Sequence, residues 1–154
     1  MKRCCLLIVL TVLMLIPLAA QTGYPGLRYG MNPTEASAVL NGIGFTKIEA
    51  SDNLFKNDLT VNYQEMELFF TETDSLVSWL HATQVPEGEN FEIEEENIEA
   101  LSKLHGDDYD YDNYYSEAYW RLDDYHYISA AYDESFSWYV IFYGDQRHPD
   151  YIPY

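Results

Sequence analysis

The chain has 154 residues, 26 of them acidic against eight lysines and arginines, for a formal net charge of −18. Such a field repels nucleic acid and anionic lipid and attracts cations and basic proteins. The share of apolar residues (47%) and aromatic residues (16%) excludes a disordered chain despite that charge.

Met1-Lys2-Arg3 is a short basic start, Leu6 to Leu18 is apolar apart from Thr11 and Pro17, and Ala19-Ala20 offers small residues for cleavage. This is the layout of a secretory signal peptide over residues 1–20, and it predicts a secreted or periplasmic protein with no membrane span after cleavage. The apolar run is shorter than the ~20 residues a spanning helix needs. Both cysteines, Cys4 and Cys5, fall inside the leader, and Gln21 stands where a lipoprotein would carry its cysteine. The rest of the chain therefore has no disulfide, thiolate metal site or thiol nucleophile.

After a turn-rich segment from Gln21 to Gly30 comes a helix with clear start signals. Asn32 is a capping residue, Pro33 suits the first helical position, and Glu35 stands where a capping box needs its acid. Ala36, Val39 and Leu40 form the apolar stripe, and Asn41-Gly42 is placed to close the helix in a left-handed conformation. Strands are expected at Ile43–Ala50, Leu59–Tyr63, Met66–Glu72 and Leu76–Thr83, with a polar turn over Ser51–Asp58 and a tight one at Thr73-Asp74-Ser75. Pro86 to Asn90 reads as a linker. A second helix is predicted from about Glu94 to His105, stopped by Gly106. An acidic loop spans Asp107–Asn113. Strands follow at Tyr115–Leu122, Tyr125–Tyr132 and Phe136–Tyr143, the last two joined by a three-residue turn, Asp133-Glu134-Ser135. An irregular tail closes the chain.

The two halves echo each other: helix, glycine, polar loop, strand meander. Gly42 to Gly106 is 64 positions and Ser75 to Ser135 is 60. The expected organisation is a first α/β repeat over residues 21–85 and a second over 86–154, the latter with the acidic loop and tail. The predicted fold class is α+β: two helix-plus-antiparallel-meander units forming a layered sheet, helices on one face.

The helix from Gly30-Met31-Asn32-Pro33-Thr34-Glu35 to Val39-Leu40-Asn41-Gly42, followed by Leu68-Phe69-Phe70-Thr71-Glu72-Thr73-Asp74-Ser75-Leu76-Val77, resembles one unit of the beta-lactamase inhibitory protein fold. It is also similar to the single unit of small outer-membrane assembly lipoproteins. The resemblance covers Gly30–Thr83 and, loosely, Glu94–Tyr143. It implies a fold and a protein-binding role, with no target. The chain lacks the cysteines of the inhibitors and the lipid cysteine of the lipoproteins.

No catalytic motif stands out. His81, His105, His126 and His148 lie more than twenty residues apart and give no zinc spacing on one element. Neither a nucleophile elbow nor a phosphate loop occurs. Asp108, Asp110 and Asp112, with Asn113 after them, mimic the first positions of a calcium loop. Tyr119 stands where the bidentate glutamate belongs, so a solvated acidic turn outweighs a calcium site.

Twelve of the fifteen tyrosines lie between Tyr109 and Tyr154. Strand alternation sorts them. Ala118, Trp120, Ile128, Ala130, Trp138, Val140 and Phe142 are expected to face a core. Tyr119, Tyr125, Tyr127, Tyr139 and Tyr143 are expected to share the opposite, solvent-facing side. Tyrosine suits an interface because it buries area and keeps a polar handle. The functional expectation is an acidic binding or inhibitor module, not an enzyme, whose tyrosine face takes a protein with a basic surface. The alternative is a carbohydrate-binding module on the same aromatic face, and no cofactor is expected.

Overall fold

The computed structural model describes residues 26–153; the leader and the segment up to Pro25 lie outside the described residues. Helix α1 (Pro33–Gly42) begins at a complete capping box: the Glu35 amide donates to Asn32 Oδ1 and the Asn32 amide to Glu35 Oε2, each at 3.0 Å. Two donors that a helix start leaves orphaned are thus satisfied. Ala36 and Leu40 are buried beneath it. Gly42 remains helical, and the left-handed residue is Gly44 (φ +94°), which turns Phe45 back so that its amide meets the Leu40 carbonyl at 3.0 Å.

Strands β1 (Thr46–Lys47), β2 (Leu54–Asn57), β3 (Gln64–Phe70) and β4 (Leu76–Gln84) follow as an antiparallel meander. Helix α2 (Asn90–His105) comes next, then β5 (Asp110–Asp112), β6 (Glu117–Arg121), β7 (His126–Asp133) and β8 (Trp138–Asp145), and a 3-10 turn at Pro149–Tyr151. The eight strands of the described residues form one sheet in the order β1-β2-β3-β4-β8-β7-β6-β5, every pairing antiparallel. The protein is α+β, with both helices on one side of the sheet.

Two strand expectations are corrected. The first strand shrinks to Thr46–Lys47, and the second is not Leu59–Tyr63 but Leu54–Asn57, inside the stretch expected to be a turn. Leu59 and Val61 have strand-forming character but stand 84% and 102% exposed, whereas Phe55 and Asn57 are buried. Packing overrides propensity here. Helix α2 also starts four residues earlier than expected, at Asn90.

The core lies between the sheet and the helices. One cluster joins Leu40 of α1 with Phe45, Phe55, Met66 and Leu68 of the first half, and Leu101 of α2 with Trp120, Ile128 and Ile141 of the second. Trp79 of β4 and Tyr143 of β8 stack at 4.7 Å and 14° where the halves of the sheet meet. Trp120 is 1% exposed, and its indole N–H donates to the Gly106 carbonyl at 3.0 Å, tying β6 to the end of α2.

The hairpin turns fix which side chains face this core. Asn113–Ser116 and Glu134–Ser137 are both four-residue loops whose last serine is left-handed (φ 50° and 57°). In each, the preceding aspartate caps the turn: Asp112 Oδ1 accepts from the Tyr114 amide at 2.8 Å, and Asp133 Oδ1 from Ser135 at 2.9 Å. The β7–β8 pairing is therefore Asp133↔Trp138, Ile128↔Tyr143 and Ala130↔Ile141. With the three-residue turn expected from sequence, the even-numbered residues of β8 would oppose Ile128 and Ala130. One extra loop residue flips every side chain of β8. Tyr139, Ile141 and Tyr143 consequently enter the core, and Trp138, Val140 and Phe142 take the other face.

Candidate functional site: the helix-free sheet face

The face opposite the helices is built from alternate residues of the central strands. Register places Leu80 across from Phe142, Ser129 across from Phe142 on the other side, and Tyr127 beside Tyr119 across the β6–β7 ladder. A groove of about 660 Å³ runs over them, floored by Leu80, Val140, Phe142 and Ala131 and walled by Tyr119 and Tyr127. Glu117, Asp133 and Glu134 rim it, and Ile152 and Pro153 of the tail stand at its margin. Ser78, buried on β4, holds that tail by donating its hydroxyl to the Tyr151 carbonyl.

Three rings form a ladder across the strands. Tyr119 and Tyr127 stack with centroids 5.4 Å apart and planes at 22°, and Tyr127 meets Phe142 edge-on at 5.9 Å and 61°. Gly144 makes the central ring possible. It pairs with Tyr127 across β7–β8, and a Cβ at Gly144 would stand 2.5 Å from two ring atoms of Tyr127. A glycine inside a strand marks such a close approach. Partial burial, then the proximity of Tyr119 and Glu117, push the Tyr127 hydroxyl above its ordinary pKa.

Of the five tyrosines expected to share a surface, only Tyr119 and Tyr127 do so. Tyr139 and Tyr143 are corrected: they are 1% and 0% exposed and lie in the core, because the β7–β8 loop sets the opposite parity. Tyr125 is exposed but belongs to the β6–β7 turn, where the Arg147 guanidinium lies 4.9 Å over its ring. The expectation that Trp138 and Phe142 belong with the helix-side core is corrected by the same register. Phe142 instead floors the groove, and Trp138 is half-buried against the edge of Tyr63.

Part of the acidic loop, Asp110–Asp112, is a strand. Asp110 and Asp112 occupy alternate positions of β5, paired with Tyr119 and Glu117. Alternate residues on a strand stand roughly 6.5–7 Å apart instead of wrapping one ion, and Asp112 is occupied in capping its turn. Asp108 precedes the strand. Among the described residues no group of three or more His, Cys, Asp and Glu side chains is placed to hold a metal ion.

One cluster escaped the sequence reading because its members are distant along the chain. His126 Nδ1 lies 2.7 Å from Asp123 Oδ2, and its Nε2 lies 3.1 Å from an Arg147 terminal nitrogen and 3.4 Å from Asp145 Oδ2. Asp145, 2% exposed, receives Arg147 through Nε and a terminal nitrogen at 2.6–3.2 Å. Burial works to raise the Asp145 carboxyl, but hydrogen bonds and charge from Arg147 outweigh it and hold the carboxyl below its ordinary pKa. The Tyr29 ring packs on His126 at 4.0 Å, and its hydroxyl donates to the Gly144 carbonyl at 3.1 Å. Both imidazole nitrogens are engaged, so the cluster latches the segment after β8 onto the β6–β7 turn.

No helix among the described residues is long and apolar enough to cross a membrane. Comparison with protein-family models, curated proteins and solved structures finds no match to this chain.

Proposed function

We propose that this protein is an exported binding module of inhibitor type that captures a protein with a basic surface in the groove of its helix-free sheet face. The observation that carries the reading is the Tyr119–Tyr127–Phe142 ladder, its two tyrosines half-buried and its phenylalanine buried in the groove floor, rimmed by Glu117, Asp133 and Glu134 on a chain of net charge −18. Rigid aromatic rings supply contact area at little entropic cost, and the acidic rim supplies steering and register. The element order, a helix and four strands followed by a helix and four strands, supports reading the chain as two copies of one unit. That arrangement agrees with the resemblance of its α1 and hairpin motifs to beta-lactamase inhibitory proteins.

The test is capture of partners from cell envelope and culture medium on the mature protein, at low and high salt, beside a Tyr119→Ala/Tyr127→Ala double variant. A basic protein that is retained at low salt, released by high salt and lost with the double variant is the expected result. Retention by both proteins alike places binding elsewhere. Capture of glycan with no salt dependence favours carbohydrate binding on the same rings.

A further inference from the structure

The register maps the helix-free face row by row, because residues directly opposite on neighbouring strands share a face. One row runs Asp110, Tyr119, Ser129, Phe142, Leu80 and Glu67 from β5 to β3. The row beside it runs Asp112, Glu117, Ala131, Val140, Ala82 and Glu65. Both rows have the same plan. Their middles, on β7, β8 and β4, are small or apolar, and acids close both ends, on β5 and β6 at one side and on β3 at the other. The groove floor is therefore an apolar channel between two acidic ridges. Lys56 lies beyond Glu65 and is held by Asp58 at 2.9 Å, and Arg121 lies one row past Tyr119, across from Tyr127. Tyr63 donates to one oxygen of Glu65 at 2.9 Å, and Glu67 is exposed.

The dimensions of the channel restrict what fits it. From β3 to β6 is four strand spacings, about 19 Å. Along β8 the floor runs from Trp138 to Phe142, about 13 Å. The tail closes the end near Ser78, whose hydroxyl donates to the Tyr151 carbonyl. β7, β8 and β4 are each hydrogen-bonded to a strand on both sides, so their backbones offer nothing to an added strand. Only side-chain packing can cover this floor. On the opposite face the protein itself lays α2 against β7 and β8, and a helix over a sheet is a standard layer.

Resting on the reading of this face as the binding surface, we propose that its occupant is a cationic amphipathic α-helix of the partner, lying along β8 with its apolar stripe on Leu80, Ala131, Val140 and Phe142 and its flanking lysines or arginines on the two acidic ridges. A helix with its side chains is about 10–12 Å across. Between ridges about 19 Å apart it leaves each long basic side chain a few Å to span, with its methylenes along the apolar floor. About 13 Å of floor holds two to three helical turns. Ser129, Ala131 and Ala82 are small, which leaves room for the larger side chains of the helix. Acids on both sides of the floor call for bases on both flanks of one apolar stripe, the pattern of an amphipathic helix.

Calorimetric titration of the mature protein with two synthetic leucine–lysine peptides of about 14 residues, four turns of helix, tests the proposal. One peptide places leucine at helical spacing. The other has the same composition in strict alternation, which favours a strand. The expected result is a one-site isotherm with the helical peptide, a gain of peptide helicity by circular dichroism, and binding of the alternating peptide weaker by roughly tenfold or more. Glu65→Gln/Glu67→Gln should weaken the helical peptide roughly threefold or more at low salt, the scale of two exposed charge pairs, with the melting temperature unchanged. Glu95→Gln/Glu96→Gln, the same change of charge at exposed positions of α2, should change nothing. Equal binding of the two peptides, equal affinity in wild type and the β3 variant, or no heat from either peptide would overturn the proposal. If a basic partner is nevertheless captured and lost with Tyr119→Ala/Tyr127→Ala, the face binds another shape and the helix proposal fails alone. One-site helical binding with no partner captured upholds the helix site and removes only the inhibitor-type reading.

Discussion

Tyr143→Ala and Trp138→Ala separate the register of β8 from the one hydrophobicity alone suggests. Tyr143 is fully buried, stacks on Trp79, and lies 3.1 Å from His105 Nε2 through its hydroxyl. Truncating a buried aromatic costs about 3–5 kcal/mol through lost transfer energy and the cavity left behind. Loss of the histidine contact adds about 1 kcal/mol. Trp138 begins the same strand on the other face, half-buried and meeting Tyr63 edge-on. Its truncation removes part of that burial and should cost about 1–2 kcal/mol, within the ordinary range for point changes. At roughly 4 °C per kcal/mol for a chain of this size, Tyr143→Ala should melt about 16–24 °C lower and Trp138→Ala about 4–8 °C lower. Urea unfolding gives the free energies, provided the slope is the same in all three proteins. Equal losses, or a larger loss for Trp138→Ala, would mean that β8 pairs one residue out of the described register and that Tyr139 and Tyr143 face outward.

The other predictions concern single groups. Gly144→Ala should drive the Tyr127 ring off its strand partner, lowering stability by about 1–3 kcal/mol as overpacking does and changing the near-ultraviolet circular dichroism of the tyrosines. Tyr139→Phe removes a buried hydroxyl that has no hydrogen-bond partner among the described residues and should raise stability by about 1 kcal/mol in urea unfolding; a clear loss would mean the hydroxyl has a partner. His81 is 2% exposed, and burial pushes its pKa down to about 4 from an ordinary 6.5. The unfolded chain therefore binds that proton more readily, so the stability this group contributes is complete above about pH 6.5 and is lost as the pH falls towards 4, by about 3 kcal/mol. Urea midpoints at several pH values should fall more steeply for wild type than for His81→Gln, and parallel profiles would contradict the assignment. Asp145→Asn breaks the double hydrogen bond from Arg147 to a buried carboxylate and should cost about 3 kcal/mol at neutral pH.

What the sequence made legible follows from where its signals were one-sided. The α1 capping box is local, and Asn32, Pro33 and Glu35 specify it without help from the fold. On β6 and β7 the small and aliphatic residues alternate with tyrosine, serine and charge, so the faces could be read and hold: Ala118, Trp120, Ile128 and Ala130 are buried. On β8 both phases are apolar, Trp138-Val140-Phe142 against Tyr139-Ile141-Tyr143. Alternation carries no information there, and the left-handed Ser137 decides the phase through loop length. The strand sits between β4 and β7, which is why both its faces needed apolar residues. β5 was missed because its residues are acidic and exposed, and its place comes only from pairing with β6. The tyrosine surface was therefore half legible: Tyr119 and Tyr127 stand where alternation puts them, while Phe142, Leu80 and the glycine beneath Tyr127 required the register.

Two tyrosines that differ in place, Tyr127 half-buried in the groove and Tyr125 exposed in a turn, give the most direct test of the binding surface. Tyr127 is the middle ring of the groove ladder, and Tyr125, two residues earlier, lies under Arg147 in the turn. With the captured basic partner purified, its affinity should be measured for wild type, Tyr127→Ala and Tyr125→Ala at one salt concentration. A loss of roughly tenfold or more is expected for Tyr127→Ala, the range of an interface hot spot, with unchanged affinity for Tyr125→Ala. Unchanged affinity for Tyr127→Ala, in a variant shown to remain folded, would contradict the proposal that the helix-free face is the binding surface.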